Sequence, residues 1–325
     1  MNPRVLVTGA AGFIGAHLTS RLVRDGFDVI GLDNFSDYYS KNLKVRRSKH
    51  FEIEHLIHNV DICENNDLEE IIGEFYPTHI FHLAAQPGVR YSRRNPISYV
   101  RNNIVAFEKL IEAISKLQKV RLYYASSSSV YGENVNSSFK EDNRGGDVKN
   151  LYALSKRFNE DRASLEYPEL ESVGLRFFSV YGPWGRPDMA YFRMIGSARG
   201  VWKFSQLGNG EQKRDYTFID DVIDTLTGLM KLPKLPQVLN IGGGQPVSLN
   251  EMKFKIDKML NSNMKIEELT RDESETLVTL ADTSLLKKLR LPIPSTSIDQ
   301  GLETVCQWAS DISSIEYLSW LKDSK

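Results

Sequence analysis

A doubly wound α/β fold, with a mostly parallel sheet covered by helices on both faces, follows from three features of the sequence. Short β-branched runs alternate with longer amphipathic segments through the first half, a glycine-rich turn joins the first run to the first amphipathic segment, and an aspartate closes the second run. Residues 4–8 (RVLVT) centre on the uninterrupted apolar run 5–7 and read as a strand buried on both faces. A helix is expected over residues 12–25, a second strand over 28–32 (DVIGL) and a third over 52–57. A helix over 64–75 and a strand over 79–83 (HIFHL) follow. Ile104, Phe107, Ile111 and Ile114 recur at three- or four-residue steps and predict one long helix over 97–116. Strands over 121–125 and 172–178 flank a helix that begins near Asn150. Connecting such strands demands right-handed crossovers. After Tyr181 the texture changes: residues 182–188 (GPWGRPD) are rich in turn formers and mark a boundary. Beyond it the elements are shorter and mixed, and a helix over 219–231 and a strand over 238–241 are expected to return to the first sheet.

The chain has 325 residues, enough to bury a core without disulfides or metals. Its 41 Lys+Arg balance 42 Asp+Glu, which argues against nucleic acid or anionic lipid as a partner. Apolar content of 41% and charged content of 26% exclude a disordered chain. The opening MNPRVLVTGA holds no long apolar core, and no apolar run approaches the roughly 18 residues of a membrane span, so a cytoplasmic protein is expected. Cys63 and Cys306 are too few for a disulfide framework or a zinc site. His17 and His82 have no ligand-spaced partners and read as structural, Asp220-Asp221 reads as orienting a helix, and no metal is expected.

Gly9, Gly12 and Gly15 (GAAGFIG) sit between the first strand and the first helix. There they permit a tight turn, close approach of the backbone to a pyrophosphate, and close packing of helix on strand. The free N–H groups of the helix N-terminus complement phosphate charge. Asp33, eighteen residues past Gly15, is placed to accept from the ribose hydroxyls and to repel a 2′-phosphate; Asn34 follows it, so NAD is favoured over NADP. Asp61 and Ile62 are placed at the adenine edge.

Tyr152 and Lys156 (YALSK) share one helix face at i and i+4. A phenol near pKa 10 is a poor base at neutral pH, but an ammonium one turn away, the helix N-terminus and an oxidised nicotinamide all favour phenolate. Such a group removes a hydroxyl proton while hydride leaves the same carbon. The serines at 126–129, just after the fifth strand, lie at the carboxyl edge where ligands bind.

These motifs, TGAAGFIG at 8–15, LAAQ at 83–86, SSSSVYG at 126–132, the Tyr152/Lys156 pair and RDYTFIDDV at 214–222, resemble the extended short-chain dehydrogenase/reductase family, in its NAD-dependent nucleotide-sugar epimerase/dehydratase branch. Within it the sequences DNFSDYY (33–39), AAQPGVRYSRRNP (84–96) and FFSVYGPWGRPDM (177–189) are similar to UDP-glucuronate 4-epimerases. The resemblance covers nearly the whole chain. It implies a Rossmann-type unit over 1–180, to which segments near 217–245 return, and a smaller mixed α/β unit over 181–325 for a UDP-sugar. It implies that Ser127, Tyr152 and Lys156 are catalytic, and adds Phe13, Ile14, Leu83, Ala84, Ala85, Gln86 and Asn103 to the cofactor contacts. It assigns Ser179 and Arg214 to the diphosphate, Phe204 to the uracil, and Arg186 and Ser179, with Ser127, Ser128 and Ser129 opposite, to a sugar carboxylate. Arg90 and Arg271 are further substrate candidates. Dehydratases of the branch carry Asp-Glu directly after the catalytic Ser/Thr, and decarboxylases a glutamate two positions after it; Ser128 and Ser129 stand there instead. The implied reaction is oxidation of the sugar at C4, turning of the 4-keto sugar, and reduction on its other face. Epimerisation of a neutral or N-acetylated UDP-hexose, decarboxylation of a UDP-uronate and a non-catalytic NAD-binding role stay open as alternatives. The helices over 97–116 and 150–167 match those through which relatives form homodimers.

Overall fold

The computed structural model describes residues 3–64, 67–132, 138–143, 146–166, 169–270 and 276–324. Arg4–Thr8 (β1) leads into Phe13–Arg24 (α1), Asp28–Asp33 (β2), Lys41–His50 (α2) and Ile57–Asn59 (β3). Asp67–Phe75 (α3), His79–His82 (β4), Tyr91–Arg94 (α4), Pro96–Tyr99 (α5) and Ala106–Ile114 (α6) follow. Arg121–Ser127 (β5), Leu151–Leu165 (α7) and Glu171–Phe177 (β6) complete the alternating part. The remainder comprises Ser179–Tyr181 (β7), Ala190–Ala198 (α8), Phe204–Leu207 (β8), Lys213–Phe218 (β9), Ile219–Leu229 (α9) and Val238–Ile241 (β10). Pro246–Ser248 (β11), Leu249–Leu260 (α10), Ile266–Leu269 (β12), Ser284–Lys288 (α11), Ile298–Ser310 (α12) and Ser314–Lys322 (α13) close the chain.

Seven strands make a parallel sheet in the order β10-β6-β5-β4-β1-β2-β3, the doubly wound fold that the sequence predicts. Val5, Leu6 and Val7 of β1 are fully buried, because helices cover both faces of a central parallel strand. The chain runs outward from β1 to β2 and β3, then returns to lay β4 on the other side of β1. That reversal opens a crevice beyond the carboxyl ends of β1 and β4. Two smaller sheets, β11-β9-β7 and β12-β8, stand with α8, α10, α12 and α13. Trp184, Phe192, Trp308, Tyr317 and Trp320 pack ring against ring at their base.

Three elements differ from the sequence expectation. The third strand is Ile57–Asn59, not 52–57: Glu52 turns the chain with φ +55° after α2, and Glu54–Leu56 forms a 3₁₀ turn before pairing with β2 begins at Gly31↔Ile57. The long helix over 97–116 is interrupted by one wide π-type turn at Val100–Val105, which directs Asn103 into the interior. The fifth strand continues to Ser127, because Ser126 and Ser127 pair with Arg176 and Phe177 of β6.

Candidate active site

A cavity of about 1230 Å³ lies along the carboxyl edge of the large sheet. It exceeds the roughly 300–1,000 Å³ of a single small-molecule site, and so is large enough for two ligands. Every described residue expected to meet cofactor or substrate lines it, except Asn103. Arg271 lies outside the described residues.

At one end lies the glycine turn. Gly9 has φ +70°, and a Cβ there would sit 2.7 Å from the backbone nitrogen of Ala84; a Cβ on Gly15 would sit 2.1 Å from the Gly9 carbonyl oxygen. The turn is therefore bare backbone pressed between β1, β4 and α1, and Gly12, the N-cap of α1, offers no side-chain cap. Uncapped N–H groups beside a side-chain-free turn fit a pyrophosphate. Asp33 ties this turn to β2: its carboxylate accepts from the N–H of Ala11 at 3.0 Å and of Phe35 at 2.8 Å. Asp61 accepts from Asn34 Nδ2 at 3.2 Å, Arg101 Nη2 at 3.0 Å and the Cys63 N–H at 2.9 Å, so it braces this end of the cavity. Asn103 lies behind the cavity wall. Its Oδ1 accepts from the Gln86 N–H at 2.7 Å, and its Nδ2 donates to the Gln86 carbonyl at 3.1 Å and the Ser155 hydroxyl at 2.9 Å. With its carboxamide thus occupied, Asn103 supports the segment 83–86 rather than facing the cavity.

Asn150 caps α7 by accepting from the Ala153 N–H at 2.9 Å, which places Tyr152 in the first turn and Lys156 one turn further on the same face. Ser127, the last residue of β5, lies beside the Tyr152 phenol and favours its charged form, and its hydroxyl accepts from the Ser129 N–H at 3.1 Å. Strand and helix are locked together behind these groups. Glu160, one turn past Lys156, accepts from the Ser126 hydroxyl at 2.5 Å and from Arg176 Nε and Nη2 at 2.9 and 2.8 Å. Burial pushes the phenol of Tyr152 up from its ordinary pKa, while Ser127 and the cationic Arg186 pull it down. Burial pushes Lys156 down to about 7. In the protein alone desolvation outweighs the pull of Ser127 and Arg186, so the phenol is raised; the lowering expected from the sequence includes an oxidised nicotinamide beside it.

The far end of the cavity holds Ser179 at the head of β7, buried Phe204 at the head of β8, Arg214 on β9 and Arg90 before α4. Arg214 Nη1 donates to the carbonyls of Lys213 and Leu277. Between the two ends stands Arg186, paired with Asp188 through Nε at 3.0 Å and Nη2 at 2.6 Å.

Four further site-forming residues receive no role from the sequence, although Tyr38 and Asp188 lie within the 33–39 and 177–189 motifs. Arg47 of α2 is fully buried and donates to the carbonyls of Ala11 (2.7 Å), Trp184 (2.8 Å) and Gly185 (3.2 Å) and to the Tyr39 hydroxyl (2.9 Å). It thus joins the glycine turn to the loop that carries Arg186. Tyr99 donates to the carbonyls of Pro87, at 2.7 Å, and Gly88, and meets Tyr152 edge to face. Tyr38 and Asp188 complete the set. The residues read as structural are accounted for: His17 bonds the Phe13 carbonyl, His82 the Thr8 hydroxyl, and Asp221 the N–H groups of Ser295 and Thr296. Among the described residues no cluster of metal-ligating side chains exists.

A family model described as the NAD dependent epimerase/dehydratase family matches residues 5–242. The chain is 35% identical to Protein CapI of Staphylococcus aureus, over 94% of this chain and 98% of that one. It is 36% identical to UDP-glucuronate 4-epimerase 4 of Arabidopsis thaliana, over 99% of this chain and 76% of that one. The crystal structure of the UDP-glucuronic acid 4-epimerase of Bacillus cereus, in complex with UDP-glucuronic acid and NAD, superposes with a TM-score of 0.88. It is 31% identical and covers 95% of this chain and 99% of that one.

Proposed function

The chain belongs to the NAD dependent epimerase/dehydratase family, and within it we propose an NAD-dependent 4-epimerase that converts UDP-glucuronate to UDP-galacturonate through a transient 4-keto sugar. One observation carries the uronate assignment. A guanidinium, Arg186, lines the cavity together with the Tyr152 phenol, while serines rather than carboxylates stand at the two positions after Ser127. The names of the relatives, and the UDP-glucuronic acid held by the superposed neighbour, support the same substrate.

We assign the residues as follows. Gly9, Gly12, Gly15 and the first turn of α1 hold the pyrophosphate of NAD, Asp33 and Asn34 the adenosine ribose, and Asp61 and Ile62 the adenine edge. Bound there, NAD supplies a hydride acceptor for the sugar C4 and the donor that restores it. Tyr152 takes the proton of the C4 hydroxyl, which Ser127 holds by hydrogen bonding, and returns it to the C4 oxygen once the ring has turned and its opposite face is reduced. Lys156, its ammonium disfavoured by burial, stands one turn from the phenol and gains charge as the phenol loses its own proton. Ser179, Phe204 and Arg214 grip the nucleotide, and the large sheet and the small sheets divide the two ligands between them.

The oxidised uronate is a β-keto acid, which loses carbon dioxide when its C–CO₂ bond aligns with the ketone. Arg186, with Ser128 and Ser129, holds the carboxylate away from that alignment. The apolar side chains exposed along the 97–116 and 150–166 helices, Ile97, Val100, Val105, Leu154 and Leu165, support a homodimer built on these helices. Two unpaired cysteines support a reducing, cytoplasmic setting; no helix among the described residues is long and apolar enough to cross a membrane.

Purified protein incubated with UDP-glucuronate, with products resolved by chromatography, gives UDP-galacturonate and no carbon dioxide if the assignment holds. Turnover of UDP-glucose alone, or a UDP-pentose product, overturns it. Arg186→Ala abolishes turnover of the uronate; unimpaired turnover by that variant removes Arg186 from the carboxylate site.

A further inference from the structure

Arg186 is neutralised before any substrate arrives. Its Nε and Nη2 form one complete edge of the guanidinium fork, and both donate to Asp188, two residues along the chain. Asp188 is anchored in turn by the Tyr38 hydroxyl, which donates to its Oδ2 at 3.2 Å from the loop after β2, 150 residues away in sequence. Arg186 and Asp188 are both mostly buried, with side-chain exposures of 24% and 12%. Arg193, on α8, adds a second positive charge near Asp188, and together these cations hold its carboxyl below the ordinary range despite burial. The pair lines the same cavity as the Tyr152 phenol, and the charge of Arg186 favours the phenolate.

A bare guanidinium in such a site would bind a sugar carboxylate as a desolvated, bidentate ion pair, among the strongest contacts a protein offers. That strength would fall on the bound substrate and not on the transition state, so it would not speed the reaction. A 4-epimerase has a sharper difficulty: its ring must turn over between the two half-reactions, and an anchored carboxylate would resist that turn.

We propose that Asp188 is the positioning and specificity-determining residue that weakens Arg186. It holds the guanidinium in place, occupies its Nε/Nη2 edge and cancels its charge, leaving the sugar carboxylate only the Nη1 side through an exchangeable contact. Tyr38 sets the strength of this effect by drawing charge from Asp188. The inference rests on the uronate assignment above and adds the reason that Arg186 can recognise a carboxylate without immobilising it.

Asp188→Asn keeps the shape and an acceptor oxygen but removes the charge. Calorimetry on the NAD-loaded protein compares UDP-glucuronate, UDP-glucose and UDP. Asp188→Asn is expected to bind UDP-glucuronate about tenfold more tightly, with UDP-glucose and UDP changed less than about twofold, while its kcat on UDP-glucuronate falls at least about tenfold. Tyr38→Phe leaves Asp188 a stronger partner for Arg186 and moves affinity the other way, weakening UDP-glucuronate about two- to threefold relative to UDP-glucose. A merely structural role would shift all three ligands together. Weaker or unchanged UDP-glucuronate binding in Asp188→Asn overturns the proposal, as does tighter binding in Tyr38→Phe should the first variant fail to fold. Wild-type protein that does not prefer UDP-glucuronate to UDP-glucose overturns the uronate assignment itself, a result distinct from a wild-type preference that Asp188→Asn leaves unaltered.

Discussion

The catalytic chemistry assigned here turns on two side chains whose proton affinities burial drives apart. Lys156 descends to about 7, and Tyr152, raised by burial, is pulled back by Ser127 and Arg186. Tyr152→Phe leaves ligand binding intact and lowers kcat by about 10²–10⁴-fold, as steady-state rates will show. Lys156 also leaves a signature in stability. Its folded pKa lies below its unfolded value, so the unfolded chain binds more protons between about pH 7 and 10 and stability rises with pH across that window. Urea denaturation should show a gain on the order of 2 kcal/mol from pH 7 to 9 that Lys156→Met abolishes. The pair itself is legible in the sequence because four-residue spacing on a helix is a local property. The direction of the phenol's shift is not, since it depends on how deeply the site is enclosed.

At the scale of elements, α2 matters more than its sequence suggests. KNLKVRRSKH shows no apolar stripe, yet it places Arg47 against Ala11 on one side and Trp184 and Gly185 on the other. Replacing it with methionine leaves three buried carbonyls without their donor. Arg47→Met is expected to cost about 2–4 kcal/mol of stability and to weaken NAD and UDP-sugar binding together, measured by thermal unfolding with and without each ligand. Loss of stability with both affinities intact would confine Arg47 to the core. The glycine turn and Asp33 can be read from the chain because strand, turn and helix are consecutive. Arg47 cannot, because its contact with Trp184 spans 137 residues. The π-type turn at Val100–Val105 escaped for a related reason: the apolar period runs straight through it, and only the seating of Asn103 against Gln86 and Ser155 reveals the extra width.

For the whole molecule, the seven-stranded sheet follows from the alternation of patterns, whereas the small sheets β11-β9-β7 and β12-β8 join short segments whose partners lie far along the chain. Two buried histidines, one on each side of β1, tie this architecture to pH. His17 and His82 are both held neutral by burial, at about 3. The unfolded chain takes up these protons near pH 6.5 and the folded chain does not, so stability is complete above that value and falls as pH drops below it. Each histidine contributes a slope of up to about 1.4 kcal/mol per pH unit, and His17→Gln should flatten the urea-derived stability profile between pH 6.5 and 5.

The central claim is that one carbon of the sugar is oxidised and then reduced by the same cofactor without exchange. UDP-glucuronate carrying deuterium at C4, incubated with the NAD-loaded protein and followed by NMR, tests it directly. UDP-galacturonate that keeps its deuterium at C4, with none in the solvent, is the predicted result; inverted product whose C4 carries solvent hydrogen would contradict it.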